Sequence, residues 1–246
     1  MEFKGKYAFL SNFYPTRVWF EGLEFRSVEH AFQAAKIRGI GITPEMYAQI
    51  NSSSAAEVKR LGRKVELRAD WHSVREDIML ALLRQKFSGK KLRNLLNNTN
   101  NTPIVEENTW GDRFWGVCGG EGRNVLGKML EGIRDRSLGT KVNTARVGST
   151  APDRLDITVK SGHKLFAPTW EMVLNLKSGL LTQEEYTKVY LSMMRKVFDV
   201  HHGELMEVVS RSSITLLCYC RTGDFCHRLL LADILEALGG QRGTRN

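Results

Sequence analysis

The 246-residue chain has no apolar run approaching the roughly 18–20 residues of a membrane-spanning helix. Its opening residues, MEFKGKYAFLSNF, hold neither a continuous apolar stretch nor a small-residue cleavage site, so no secretory leader is expected. Cysteine is scarce: four in all, three of them crowded between positions 218 and 226. That is not the spacing of a spread disulfide framework, and a reducing cytoplasm is the expected setting. Charge does not run in blocks, although Lys and Arg outnumber Asp and Glu by 36 to 27, a net +9. That excess suits a phosphate-bearing or polyanionic partner as well as a solvated basic surface. No internal repeat or low-complexity tract is present. What remains, 42% hydrophobic and 26% charged, is ordinary for a globular protein of one large or two ordinary domains.

Residues 3–26 read as short strands and turns, with VWFEGLEFRS alternating about Gly22 as a hairpin does. Ser27 is expected to open a helix that ends before Gly39, and Thr43 with Pro44 to open another. Ser54 and Glu57 have capping-box spacing, with Gly62 as the stop. A longer helix from Asp70 to near Gly89 keeps Val74, Ile78, Leu82 and Leu83 at helical period. KKLRNLLNNT and VLGKMLEGIRDRSL read as two more helices. The segment 139–152, GTKVNTARVGSTAP, has no periodicity and reads as a linker. Beyond it, RLDITVKSG reads as a strand and Thr182 with Glu185 caps a helix. SSITLLCYC is a continuous apolar run of the kind buried parallel strands have, and LLLADILEALGG a helix ending at glycine. The expected architecture is a mainly α (α+β) domain over 1–138, a linker over 139–152 and a smaller α/β domain over 153–246.

In SVEHAFQAAKI, Glu29, Gln33 and Lys36 share one helix face, which by itself is an ordinary wet stripe. Its neighbours change that reading. LSNFYP is aromatic and polar at once, and NTWGDRFWGVCGGEGRN puts Trp110, Trp115, Asp112 and many glycines together. Glycines let backbone approach a ligand, and tryptophans offer flat faces to a base. The segment is no P-loop, because the Gly-Lys-Ser/Thr end is missing, and no strand leads into it as in a dinucleotide fingerprint. Asn124, at a loop-to-helix junction, reads as a plain N-cap or a ligand contact.

These three segments, in order and spacing, resemble the NADAR (YbiA-like) family over about residues 3–138. Ser11, Asn12 and Phe13 match the family's S-N-F; Glu29 and His30 its E-H; Gln33 and Lys36 the Q and K of the same helix. Trp115 and Gly116 match its W-G, and Asn124, Leu126 and Gly127 its N-x-L-G. Some members carry Asp after the W-G, where this chain has Val117; whether Asp112 replaces it is left open. The resemblance implies an α-rich, NADAR-like domain that cleaves N-glycosidic bonds of ribose. The substrates it suggests are ADP-ribose on modified guanine in nucleic acid, or phosphorylated ribosylamino-pyrimidine intermediates of the riboflavin pathway. It implies no cofactor, no metal and no membrane partner, with nucleic acid as a second candidate partner. Nothing indicates the oligomeric state. A non-catalytic reader of ADP-ribose or nucleotide is the rival, favoured by Val117.

Such cleavage passes through an oxocarbenium-like state, which a carboxylate can stabilise while it orients a water. Glu29 is the candidate, expected to stay ionised in the first turn of its helix. Trp115, Asp112 and His30 complete the catalytic candidates, with His30 either protonating the leaving nitrogen or packing the helix. Lys36 or Arg123 would hold a phosphate. Ser11, Asn12, Phe13, Gln33, Trp110, Gly116 and Asn124 would bind substrate.

CYCRTGDFCHR, 218–228, stands between a buried strand and a helix, where open α/β sheets bind ligands. A thiolate phosphatase loop needs Cys-x5-Arg, which is absent. Zinc on Cys218, Cys220, Cys226 and His227 has suitable ligands but lacks the usual two-residue spacer. The alternatives are an anion or nucleotide pocket using Arg221 and Arg228, or buried cysteines without function. This half, about 153–240, resembles an uncharacterised bacterial and phage α/β family and carries over no activity.

Overall fold

The computed structural model describes residues 3–40 and 42–245, and the chain divides into two compact units, Met1–Leu138 and Gly139–Asn246. The first unit opens with a 3-10 turn, Gly5–Leu10, and the hairpin β1 (Val18–Phe20) and β2 (Leu23–Phe25), paired antiparallel around Glu21 and Gly22. Helices follow: α1 (Val28–Ala34), running into a 3-10 stretch to Ile40, α2 (Pro44–Ser52), α3 (Ala55–Leu61), α4 (Trp71–Lys86) and α5 (Lys90–Asn97). A two-residue parallel pair, β3 (Glu107–Asn108) and β4 (Val117–Cys118), precedes α6 (Val125–Arg134).

The helix starts follow local chemistry. Ser27 Oγ accepts from the His30 amide and Thr43 Oγ1 from that of Met46, while Ser54 and Glu57 form a complete capping box. Asp70 stands at the N-cap of α4 without capping it, because Arg68 takes its carboxylate. The position of α1 matters most for the site. All seven of its residues are buried, Glu29, His30 and Gln33 among them. The hairpin, α2, α3 and α4 close around it with Val18, Phe25, Val58, Leu82 and Leu83 in one apolar core. Buried this far, α1 has no ordinary wet face, and its polar residues meet either partners inside the protein or the cavity.

The second unit has a four-stranded sheet, all parallel, in the order β6 (Arg154–Asp156), β7 (Ser213–Cys218), β5 (Lys141–Arg146), β8 (Gln241–Arg245). Between β6 and β7 run α7 (Trp170–Ser178), α8 (Gln183–Val200) and α9 (His202–Ser210); α10 (His227–Ala237) connects β7 to β8. The linker expected over 139–152 is therefore corrected: Lys141–Arg146 is an inner strand paired with β7 along its length. Its inward residues, Val142 and Thr144, are two positions on a strand otherwise of Lys, Asn, Ala and Arg, too few to show as a pattern. SSITLLC holds as a buried parallel strand, and Thr182 with Glu185 closes its capping box.

Gly127 shows how tightly α6 is seated. A Cβ there would lie 2.1 Å from Ile104 O and 2.4 and 2.6 Å from the Asn124 amide atoms. Gly127→Ala is expected to destabilise the protein by about 1–3 kcal/mol through this overpacking. A lowered urea midpoint for unfolding would show it; an unchanged midpoint would mean that α6 can slide.

Candidate functional site

A cavity of about 1080 Å³ opens in the first unit, lined from α1, α3, the 11–13 segment and the 106–120 loops. Glu29 on α1 is 5% exposed. Its amide donates to Asn12 O at 3.0 Å, and its Oε1 accepts from Gln33 Nε2 at 2.7 Å. Burial pushes its pKa above the usual carboxylate value, opposed by the Gln33 hydrogen bond and the charges of Lys59, Lys36 and Arg63. Burial thus outweighs the helix-terminus effect expected to keep Glu29 ionised. Lys36 donates to Gly62 O at 3.4 Å, and burial holds its ammonium below the ordinary lysine range. Phe32 and Trp115 meet edge-on at 5.5 Å beside them.

A second carboxyl group escaped the sequence reading. Glu106 lines the same cavity, and its pKa is raised to about 7, chiefly by burial and then by Asp112, with Glu29 adding to the push. It stands in a polar stretch, TPIVEENTW, where only the adjacent Glu106 and Glu107 offered a signal and nothing chose between them. Two pieces of motif place it. Asn124 does not cap α6: its left-handed backbone turns the side chain to bridge Ile104 O (donating, 2.8 Å) and the Glu106 amide (accepting, 3.1 Å). Gly116 makes room, since a Cβ there would lie 2.3 Å from Glu106 O and 2.7 Å from its Oε2. Neither Asn124 nor Gly116 lines the cavity; they position what does.

Asp112 also lines the cavity, but its Oδ1 accepts from the amides of Phe114 (3.0 Å) and Trp115 (2.9 Å). Its carboxylate shapes the turn that delivers Trp115. Ser11, Asn12, Phe13, Gln33, Lys36 and Trp110 join it in the lining. Three lining residues carry a buried oxygen with no hydrogen-bond partner: Asn12 Oδ1, Gln33 Oε1 and Glu106 Oε2. Such orphans are expected where a ligand supplies the donors. At the mouth, Lys59 sits over the exposed rings of Phe13 (5.7 Å) and Trp110 (5.0 Å), with Arg60 and Arg63 along the same wall. Lys59 and Arg60 on α3 and Arg63 just beyond it carried no signal in the sequence, since nothing local sets them apart from other basic residues.

Besides Gly116 and Asn124, two more candidates fall outside the cavity. His30 packs: Ser27 Oγ holds its Nδ1 at 2.7 Å and Ser53 O its Nε2 at 3.1 Å. Arg123 stacks over Phe114 and approaches Glu76 at 3.9 Å, lining a smaller hollow instead.

In the second unit, Cys218, Cys220 and Cys226 converge at the end of β7. Arg221 is exposed, its amide donating to Asp224. Arg228 is 1% exposed, and its guanidinium donates to the carbonyls of Ala145, Cys218, Cys220 and Arg221. Arg228 is thus committed to backbone carbonyls, and Arg221 is the exposed arginine of the loop. His227 is buried, its Nε2 on Ile157 O at 2.8 Å.

A family model described as the NADAR domain matches residues 2–137, and the chain belongs to this family. A second, described as the active DUF488-N3 subclade, matches residues 128–239. A riboflavin biosynthesis protein of Vibrio vulnificus is 33% identical over 133 residues, which are 52% of this chain and 35% of that protein. An N-glycosidase of Nostoc punctiforme is 34% identical over 135 residues, 52% of this chain and 85% of the relative. The N-glycosidase YbiA of Escherichia coli is 35% identical over 53% of this chain and 81% of its own length. The solved NMR structure of the E. coli YbiA protein aligns at 32% identity over 56% of this chain and 83% of that one, with a TM-score of 0.47.

Glu106 gives the site a pH signature. Its folded pKa, about 7, lies above the unfolded value of 4.5, so the folded state holds a proton that the unfolded state releases. Stability from this group is present below pH 4.5 and lost as pH rises to about 7. Urea unfolding at stepped pH is expected to show that decline in wild type and a smaller one in Glu106→Gln. Parallel curves for the two proteins would remove the assignment.

Proposed function

We propose that the first unit hydrolyses the N-glycosidic bond of an ADP-ribosyl group attached to a base. The observation that carries this reading is the pair of buried carboxyl groups, Glu29 and Glu106, in one cavity with a basic, aromatic mouth. Names of the relatives support the bond class: N-glycosidases in E. coli and Nostoc punctiforme, a riboflavin biosynthesis protein in Vibrio vulnificus. The size of the cavity, about 1080 Å³, supports the larger of the two expected substrates, since pockets for small ligands run about 300–1,000 Å³. Lys36, Lys59, Arg60 and Arg63 suit a diphosphate, and the Phe13–Trp110 mouth suits a base.

Each carboxyl group takes the role its surroundings allow. Glu29, with Gln33 and three cations about it, stabilises the developing charge at C1′ and accepts a proton from the attacking water. Glu106, protonated over much of the neutral range, gives its proton to the leaving nitrogen. The C1′–N bond breaks, a C1′–OH bond forms, and the two carboxyl groups exchange one proton through water. Trp115 walls the sugar side, and Asn12 and Gln33 line the cavity beside it.

A second reading rests on Lys36. Its depressed pKa makes it the cavity amine best able to attack C1′ and form an imine with the opened sugar. Lys36→Arg keeps the charge but not that nucleophile. Lost turnover in Lys36→Arg, with a borohydride-trapped adduct on wild type, would favour this route.

Release of ADP-ribose from guanine-ADP-ribosylated DNA, followed by chromatography, tests the proposal. Glu29→Gln is expected to slow release by about 10²–10⁴-fold while binding of ADP-ribose persists. Glu106→Gln is expected to lower kcat and remove the fall in rate above neutral pH. Binding without release by wild type would make the domain a reader, and release unchanged in Glu29→Gln would remove Glu29 from the mechanism.

A further inference from the structure

Three thiols meet where β7 ends and α10 begins. Cys218 closes β7, Cys220 lies two residues on, and Cys226 is the N-cap of α10. Their Sγ atoms all lie within 4.8 Å of one another, with Cys218 and Cys220 at 3.6 Å. All three are free thiols, and 3.6 Å is far beyond the about 2.05 Å of a disulfide. It is close to the spacing of two thiolates on one zinc ion. With Zn–S at about 2.3 Å, a tetrahedron's edge is about 3.8 Å.

Two independent features point the same way. His227, beside Cys226 in sequence, gives its Nε2–H to Ile157 O at 2.8 Å, which leaves Nδ1 as the unprotonated nitrogen. Nδ1 meets Cys226 Sγ at 4.0 Å at the edge of the cluster, outside the 4.8 Å group of the three thiols. A carbonyl holding the far nitrogen is the usual support of a metal-bound imidazole. The other feature is Arg228, buried against backbone carbonyls, with no carboxylate ion-paired to it among the described residues. A buried guanidinium needs a counter-charge. Three thiolates and a neutral imidazole around Zn²⁺ carry a net charge of −1, which supplies it.

We propose that the second unit binds a structural zinc ion through Cys218, Cys220 and Cys226, with His227 Nδ1 as fourth donor and Arg228 as counter-charge. The expectation that the chain carries no metal is revised accordingly. Soft thiolates select zinc over magnesium or calcium. Four protein donors close the coordination sphere, so the ion serves the fold rather than a reaction. It would tie the end of an inner strand to the start of α10 across the 219–225 loop. The tyrosines of α8 exclude water: the Tyr190 ring lies 5.7 Å from that of His227.

The test is elemental analysis of the full chain, purified with zinc present and then dialysed. One zinc per chain is expected in wild type and in Cys118→Ser, whose thiol lies in the first unit. Less than a tenth of that is expected in Cys226→Ser. Cobalt substitution of wild type keeps the proposal testable should that variant not fold. Thiolate-to-cobalt charge transfer with tetrahedral ligand-field bands is expected, and the ligand-field bands should shift in His227→Gln. Zinc-free wild type that shows no cobalt charge transfer, or full zinc in a folded Cys226→Ser, would overturn the site.

Discussion

The first unit depends on a carboxylate held on a helix whose residues are all buried. Removing Glu29 from water is costly, and the surrounding chain is arranged to offset that cost. Gln33, one turn along, donates to it, Asn12 O receives its amide, and Lys36, Lys59 and Arg63 supply opposing charge from three directions. That arrangement explains why S-N-F, E-H-x-x-Q and a basic α3 occur in one domain. Gln33 and the cations offset the buried charge, S-N-F anchors the start of α1 through Asn12 O, and together they enclose a cavity. A single apolar face on α1 would have produced a tighter core and no site.

Absent side chains do as much as present ones. A Cβ at Gly62 would lie 1.8 Å from Gln33 Oε1, one at Gly116 would meet Glu106, and one at Gly127 would meet Ile104 O. All three positions adopt ordinary backbone angles, so their need for glycine is space, not conformation. Gly116, Asn124 and Gly127 of the W-G and N-x-L-G motifs therefore act on the cavity indirectly, while Trp115 and Leu126 line it. The two glycines let the 104–106 segment come close enough for Glu106 to reach the cavity, and Asn124 locks the segment with one donated and one accepted hydrogen bond.

The second unit faces the opposite problem, a buried positive charge. Arg228 donates to four carbonyls around the Cys218–Cys226 loop, those of Ala145, Cys218, Cys220 and Arg221. Hydrogen bonds to carbonyls quench the donors but not the charge. Hydrogen bonds from Cys220 and Cys226 hold the Cys218 thiol low, while the same pairing pushes Cys226 up. One acidic thiol and two that burial and pairing keep protonated lie beside a buried guanidinium, so the charge of Arg228 bears directly on the thiol cluster.

Helix starts, the hairpin and the apolar β7 strand follow from short-range pattern, whereas the cavity residues Ser11 to Phe13, Glu29, Gln33, Lys36 and Trp115 were marked by the resemblance of their motifs to the family. Caps and periodicity act over a few residues, and the motifs carry their spacing with them. Tertiary structure decided the rest. It made α1 a buried helix rather than a half-wet one, because enclosure depends on the hairpin and α4, far away in sequence. It brought Glu106 in and turned His30 away, and it committed Arg228 to backbone carbonyls. It also made a strand of Lys141–Arg146, whose two inward side chains gain meaning only from β7 and β8 on either side. The physical reason is common to all of these: burial and charge compensation are set by neighbours in space, and local sequence does not contain them.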